Sequence, residues 1–482
     1  MEPLVLSACF LTVILLWFTT GRTRKRQGFP LPPGPPADPL IGHLRIIPSQ
    51  NTSEAFYEWS KIYGDVMYLK VLGREIIVLG SVKSAQALLE GRSANYSCRP
   101  KFTVLEVMGW EPLLGFMQYG KRFLKHRKML QHYLSQKQTI SFNNIIAEEA
   151  RLLVKNLANA KPGRHLHYAH RYTVSNIMRA AFGHQIKSDD DVFLEIANGV
   201  AYAFSNCGPP GNTPVDFFPW LLHLPSWFPG TYYANVARSH FKTIRKLYDV
   251  PLEFVQAAMK TKNYEKCFAS EQLQELGDSR TEDPEAVDDI KGAAASIFSG
   301  GVDTTFAALQ AFYLAMVHHP EYQKRAYEEI VSVVGEKALP DLSNRESLPF
   351  VDAIAQEVFR WNTIGPIGIP HRAINDDIYN DMYIPKGAMV VANIRGMSLN
   401  ENVYSNPKAF DPSRFLPQPQ GKGEPPFPSG FGFGRRICPG RHFADITLWN
   451  AIACTLATLE ILPVKGADGK LPEMVFSEAL VR

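Results

Sequence analysis

A cysteine near the carboxyl terminus lies among residues that suit a reactive or metal-ligating thiolate. Glycines precede Cys438 and a Pro-Gly pair follows it in Phe431-Gly-Phe-Gly-Arg-Arg-Ile-Cys-Pro-Gly440, and a helical pattern begins directly afterwards. Glycines let the backbone approach something large and flat. A thiolate just before a helix amino terminus is stabilised by the helix dipole. Such a thiolate could ligate iron or act as a nucleophile, and the alternative is a buried, inert cysteine after a glycine-rich turn.

A carboxylate and a hydroxyl stand side by side in Gly300-Gly-Val-Asp-Thr-Thr305, midway along the longest helical pattern. Two glycines inside a helix cost about 1 kcal/mol each relative to alanine. A helix tolerates them where it needs a close approach or a local distortion. Asp303 and Thr304 therefore suit a proton relay. The alternative is a capping signature in which Asp-Thr-Thr starts a new helix.

A pair of charged residues and a basic segment offer weaker signals. Glu357 and Arg360 are three residues apart, so they can form an ion pair on one helical face. Taken alone, such a pair is usually a solvated surface pair. The segment Tyr119-Gly-Lys-Arg-Phe-Leu-Lys-His-Arg-Lys128 is strongly basic, and its Arg127 gains meaning only from the resemblance described below.

The elements that must position these residues are mostly helices. The segments Met67–Val71 and Glu75–Leu79 are separated by a short turn and predict a β-hairpin, and 81–90 predicts a short helix. Strand-like pieces return near 377–392. Long helical patterns occur around residues 120–135, 140–160, 165–182, 232–260, 285–318, 320–334, 349–361 and 441–459.

Composition excludes several classes of protein. The chain has 482 residues, of which 45% are hydrophobic and 20% are charged, so it can bury a large core. Its formal net charge of +4 is too small to indicate a nucleic-acid partner. None of the six cysteines has a short metal-binding spacing, which favours reduced thiols in a cytosolic compartment.

The amino terminus has the pattern of a membrane anchor. Residues Pro3–Thr20 are almost wholly apolar, and as a helix they would span about 27 Å of a roughly 30 Å hydrocarbon core. Basic residues follow at once, which predicts a cytoplasmic body. We therefore expect a transmembrane signal anchor at 1–21, a basic and proline-rich hinge at 22–40 and a catalytic domain at 41–482. The alternative is a cleaved signal peptide.

The motifs resemble those of the cytochrome P-450 family. Phe431, Gly434, Cys438 and Gly440 fit every fixed position of its haem-ligand loop, FxxGxxxCxG, and the other motifs follow in family order. The resemblance implies that Cys438 is the axial ligand of the haem iron and that the loop residues bind the cofactor. It also implies that Asp303 and Thr304 form the acid–alcohol pair beside bound oxygen, as in the motif (A/G)GxDT.

The resemblance gives the other charged residues roles as well. Glu357 and Arg360 would meet Arg414 and stabilise the core beneath the haem loop, although Ser413 stands where the family usually has glutamate. A second set of residues would bind the haem propionates: Arg127, Arg372 and Arg436. Phe123 replaces the tryptophan of the family's WxxxR motif, so one propionate hydrogen bond would be lost.

The resemblance implies a mainly α fold with small peripheral β-sheets, preceded by one transmembrane helix. It implies a haem-dependent monooxygenase that inserts one oxygen atom into a lipophilic small molecule. Within the family, the chain resembles membrane-bound fungal enzymes of secondary metabolism. Its partners would be dioxygen, an NADPH-dependent flavoprotein reductase and membrane lipid, with the catalytic domain facing the cytosol from the endoplasmic reticulum. The alternatives are a haem-thiolate isomerase or dehydratase, a haem-binding sensor, or an inactive truncated member. The last alternative arises because the chain stops at Arg482, where family members usually continue to complete a final β-hairpin.

Overall fold

The computed structural model describes residues 28–161, 163–209, 211–277 and 283–463, and helices dominate it. The helices of the first half are α1 Thr52–Tyr63, α2 Val82–Ala85, α3 Ser93–Tyr96, α4 Thr103–Met108, α5 Lys121–Tyr133, α6 Gln136–Thr139, α7 Asn143–Ala158, α8 His165–Phe182, α9 Val192–Asn206 and α10 Pro214–Phe217. Those of the second half are α11 Tyr232–Lys260, α12 Phe268–Leu276, α13 Pro284–His318, α14 Pro320–Val334, α15 Pro349–Trp361, α16 Ile394–Ser398 and α17 Arg441–Thr458. The expected mainly α architecture is confirmed.

Helix α13 forms the centre of the helical body. It is 35 residues long and packs against α8, α5, α12, α15 and α17. Apolar residues are buried on several of its sides, among them Ala293, Leu309 and Phe312, as expected of a helix enclosed by other helices. The residues that could do chemistry on this helix therefore lie deep inside the protein.

The strands form two small sheets, as predicted. Strands β1 Val66–Val71, β2 Arg74–Leu79, β3 His371–Arg372 and β6 Met389–Ala392 make a mixed sheet in the order β1-β2-β6-β3, and β4 Asp377–Tyr379 pairs with β5 Met382–Ile384. The β1–β2 turn places Leu72 and Gly73 at positive φ, the backbone of a tight hairpin turn. Strand β2 then pairs in parallel with β6, which joins distant parts of the chain.

The segment predicted as one short helix, 81–90, has two parts. Ser81 caps α2 by accepting a hydrogen bond from the Ser84 N–H at 3.2 Å. A single turn of π-helix, Gln86–Gly91, continues it. Such wide turns often occur near functional sites, and this one brings the carbonyl of Leu89 against the cysteine loop.

The described part of the proline-rich segment lies against the body. The N–H of Tyr68 donates to the carbonyl of Pro33 at 2.9 Å, and the N–H of Tyr383 donates to that of Pro30 at 2.7 Å. The predicted anchor, 1–21, and the chain end at Arg482 lie outside the described residues. Among the residues that are described, none of the helices has the length and apolar character needed to cross a membrane.

Candidate active site

The shape of the cysteine loop depends on a glycine, because any side chain at that position would force the neighbouring backbone to move. Gly434 has φ of +56°, and a Cβ added there would lie 2.2 Å from the carbonyl oxygen of Leu89. The Cys438 N–H donates to the carbonyl of Phe431 at 2.8 Å, which closes the loop. The ring of Phe431 packs 5.1 Å from that of Phe359 on α15. The loop therefore holds Cys438 immediately before α17.

Cys438 faces an internal cavity of about 370 Å³. The four other described cysteines are buried in the packed interior, whereas Cys438 is partly accessible from the cavity. Burial raises the pKa of the Cys438 thiol, and the N–H of Gly440 and the charge of Arg127 act in the opposite direction. A cation bound at the sulfur would favour the thiolate further.

Helix α13 brings Asp303 and Thr304 to the same cavity. The helix is continuous through this segment, so the interpretation of Asp-Thr-Thr as the start of a new helix is wrong. A Cβ at Gly301 would lie 2.2 Å from Cδ1 of Ile177, which explains one glycine as a close approach to α8. Gly300 has nothing within 4 Å of an added Cβ and leaves the cavity open.

The acid and the alcohol differ in their surroundings. The Thr304 hydroxyl donates to the carbonyl of Gly300 at 2.6 Å. Burial raises the pKa of Asp303 to about 7, because among the described residues no cation offsets the cost of charging this carboxyl. A carboxyl group with such a pKa can hold or release a proton at neutral pH.

Two of the three predicted propionate residues line the cavity. Arg127 donates to the carbonyl of Ile437, next to the cysteine. Arg436 donates to the carbonyls of Ser97, Leu114 and Met117. Its guanidinium also lies 3.7 Å from the ring centroid of Phe123. The phenylalanine that cannot donate a hydrogen bond thus stacks on the arginine instead.

The third predicted residue, Arg372, is not among the residues that line the cavity. Its Nη2 contacts Cys98 Sγ at 3.4 Å and lies 3.5 Å from Gln118 Oε1. The neighbouring His371 does line the cavity, as does Arg99, and sequence reasoning missed both. Arg99 carries no motif of its own, but an arginine beside a proline at the start of an apolar run was the available signal.

The buried cations at the cavity fit an anionic ligand such as the propionates of a haem. Arg99, Arg127 and Arg436 are all buried, and burial lowers the pKa of each guanidinium. In the part of the chain that the structure describes, none of the three forms an ion pair with a carboxylate. Buried charges are normally paired, so this cluster has the composition of a site for a dianion.

The predicted structural residues do meet beneath the loop. Both Arg360 and Arg414 donate to the carboxylate of Glu357, at 2.7 and 3.0 Å, and all three side chains are fully buried. A fourth member, Glu424, pairs with Arg414 and was not predicted. The set therefore contains two carboxylates and two guanidiniums, which balances its charge.

Apolar side chains make up much of the remaining wall. Trp110, Ile364, Ile367 and Ile369 line the cavity. Met108 and Phe298 are buried in the core and are not among the lining residues. Helix α9, which had not been predicted, contributes Val200 and Phe204. Such a wall suits a lipophilic ligand.

Comparisons with known proteins agree with this geometry. The family model for cytochrome P450 matches residues 32–480. The chain is 36% identical to cytochrome P450 monooxygenase 136 of Postia placenta, over 97% of this chain and 89% of that protein. It is 34% identical to cytochrome P450 monooxygenase COX2 of Coprinopsis cinerea (93% and 86%) and 35% identical to claR of Ampulloclitocybe clavipes (92% and 82%). The chain belongs to the cytochrome P450 family and is a haem-thiolate monooxygenase.

Proposed function

We propose that this protein inserts one atom of dioxygen into a lipophilic small molecule, by hydroxylation or epoxidation, with Cys438 as the axial ligand of its haem. One observation carries the proposal. A cysteine, an acid–alcohol pair and a cluster of cations that pair with none of the described carboxylates line a single cavity whose remaining wall is mainly apolar.

Each group has a role that follows from its position. A bound haem would supply the oxygen-activating chemistry, which ligation by the Cys438 thiolate would promote. Its propionates would be held by Arg99, Arg127, Arg436 and His371. Phe431, Gly434 and Gly440 shape the loop that presents Cys438. Asp303 and Thr304 hold and move protons on the cavity side of α13, and the apolar wall orients the substrate and excludes water.

The substrate class follows from the wall. Apart from Cys438, Asp303 and the four cationic or imidazole groups named above, the described lining residues include no ionisable side chain that could anchor a substrate. A terpenoid, a sterol or an aromatic polyketide therefore fits better than a charged metabolite. We propose a role in secondary metabolism, which similarity to fungal monooxygenases supports. Binding of such compounds can be screened by the change they cause in the haem absorption spectrum.

The partners follow from the reaction and the surface. The electrons come from an NADPH-dependent flavoprotein reductase, and the exposed Lys121 and Lys128 on α5 offer positive charge to an acidic partner. Lys125 is less available because it pairs with Asp289 at 2.6 Å.

We propose a single-pass anchor in the endoplasmic reticulum at 1–21, with the body in the cytosol. Exposed Trp220 and Trp227 support a second contact with lipid.

The decisive experiment combines a spectrum with turnover. The reduced protein in carbon monoxide should show the thiolate-type absorption band, and adding reductase and NADPH should convert a lipophilic test compound to an oxygenated product. An isomerase or dehydratase would convert its substrate without NADPH, and an inactive member would give no product. Either outcome would contradict the proposal.

Replacing Thr304 by alanine should uncouple the enzyme. The hydroxyl assists proton delivery, and general acid–base groups typically contribute roughly 100-fold or more to rate. We expect haem content and substrate affinity to be nearly unchanged, while product per NADPH consumed falls severalfold and peroxide rises. Thr304→Ser, which keeps a hydroxyl, is the matched control. Full coupling in Thr304→Ala, or loss of its haem, would contradict the assigned role.

Replacing Arg99 by glutamine should weaken haem retention. The change removes one of three buried cations from the propionate site, and hydrogen bonds to charged groups contribute about 1.5–3 kcal/mol. We therefore expect haem to be lost to apomyoglobin roughly 10-fold to 100-fold faster. Arg372→Gln is the comparison, because Arg372 is not among the lining residues. A larger effect at Arg372 than at Arg99 would restore the assignment made from sequence.

A further inference from the structure

A second cavity lies on the other side of the acid residue. It has a volume of about 270 Å³, and its wall includes His167, His170, Asp189, Asn198 and Phe306. Asp303 also lines it, and among the described residues Asp303 alone lines both this cavity and the one that contains Cys438. Asp303 is thus the residue that the two cavities share.

The far wall of this second cavity reaches an exposed cluster of charges. Oδ2 of Asp189 lies 3.0 Å from Nε2 of His167 and 3.6 Å from Nη2 of Arg164, and its Oδ1 lies 2.7 Å from Nη1 of Arg171. The Asp189 side chain is 42% exposed. Protons can therefore exchange with solvent at this end of the cavity.

His170 lines the same cavity as the cluster and the acid. It follows His167 by one turn of α8, and its ring packs edge-on at 5.2 Å against Phe306, which follows Asp303 by one turn of α13. Burial lowers the pKa of His170 to about 4, so the imidazole is neutral at pH 7. A neutral imidazole has one donor and one acceptor nitrogen and can pass a proton without holding a charge.

We propose that this second cavity is the proton entry route of the enzyme, running from the Asp189–His167 pair past the imidazole of His170 to Asp303. The inference rests on the proposed function and names the residues through which its protons would arrive. In each turnover, two electrons from the reductase and two protons from solvent reduce one oxygen atom of dioxygen to water. The other atom forms the new bond to substrate. Ordered water would complete the hydrogen-bonded path, since the cavity is large enough and polar along one side.

The alternative is that the cavity is a packing defect and that protons arrive through the substrate cavity. The two ideas differ in what happens when His170 alone is changed. A packing defect would be insensitive to loss of the imidazole, because a phenylalanine ring preserves the edge-on contact with Phe306. A proton route would be interrupted, because phenylalanine has no donor or acceptor.

The test is His170→Phe in the full-length, haem-loaded protein. We expect product per NADPH to fall by roughly threefold or more, with peroxide accounting for the missing electrons and a larger solvent deuterium isotope effect on product formation. A second measurement does not depend on turnover. The infrared band of the protonated Asp303 carboxyl, identified by its loss in Asp303→Asn, should exchange more slowly after transfer to D₂O. Exchange is best followed near pH 6, since burial places the Asp303 pKa at about 7.

Two further variants make the outcome decisive. His165→Phe is the matched control, because His165 also lies on α8 but packs against Tyr313 and lines neither cavity. Ala201→Leu narrows the second cavity from α9 without removing a titratable group. We expect slow exchange in Ala201→Leu and none of these changes in His165→Phe.

The results separate this inference from the proposed function. If the unmutated, reduced protein in carbon monoxide does not show the thiolate-type absorption band, the proposed function is refuted. Unchanged coupling and exchange in His170→Phe, with that band intact, would refute only the proton route. If His170→Phe does not retain haem, Ala201→Leu decides, and normal exchange in that variant overturns the route.

Discussion

Replacing Cys438 by histidine should eliminate both the thiolate-type carbon monoxide band and the formation of product, while some haem remains bound. Imidazole can ligate iron, but it lacks the electron donation of a thiolate. The loop is also tight, since Cys438 Sγ lies only 3.9 Å from the position of a Cβ built at Gly440. We expect product formation to fall to the level measured without enzyme. The reduced carbon monoxide spectrum and product analysis provide the measurements.

A second cysteine supplies the control for this change. Cys454 is buried on α17, the helix that follows the loop, and it is not among the residues that line the cavity. Cys454→Ala should keep the spectrum and the activity. An unchanged spectrum in Cys438→His would move the iron ligand elsewhere and refute the central assignment.

Replacing Glu357 by glutamine should destabilise the folded protein more than any surface change. The carboxylate accepts hydrogen bonds from Arg360, Arg414 and the N–H of Asp411. The change leaves two fully buried guanidiniums with one carboxylate, and breaking a buried pair costs about 3–5 kcal/mol. The measurements are the urea midpoint, monitored by fluorescence, and the haem content of the purified protein.

An exposed pair with the same spacing gives the comparison. Glu58 and Lys61 are also three residues apart on a helix, with N–O distance 3.0 Å, but both side chains are exposed. Glu58→Gln should leave the urea midpoint nearly unchanged because water screens such pairs. If both variants unfold at the same urea concentration, the buried set does not stabilise the fold as described.

Periodic patterns in the sequence predicted most of the long helices well. The expected bounds of the helices at 165–182, 232–260, 320–334 and 349–361 agree with α8, α11, α14 and α15. Helices α9 and α12 were missed. The buried residues of α9, such as Phe193, Ile196 and Val200, do recur with a helical period, and Asp191 caps its amino terminus. Gly199 and the exposed apolar residues Val192 and Tyr202 obscured that pattern in the sequence.

The site shows a different limit. The sequence predicted that Cys438, Asp303 and Thr304 are site residues because each stands in a short run of residues with a recognisable motif. The choice between His371 and Arg372 could not be made in that way. Adjacent residues of an extended strand point to opposite faces, so a shift of one position changes which side chain reaches the cavity. Arg99 and Glu424 reach their sites only through the tertiary fold.

The order of strands in the mixed sheet has a consequence for synthesis of the protein on the ribosome. Strand β2 pairs with β6 through Leu79 and Ala392, so its partner is made long after the β1–β2 hairpin. At about 5–20 residues per second, the delay is roughly 15–60 s. During that time the hairpin has an unpaired edge carrying Ile77 and Leu79, and such edges invite association with other chains. Slower initiation, lower temperature or added chaperone should therefore raise the yield of folded protein more than stronger expression does.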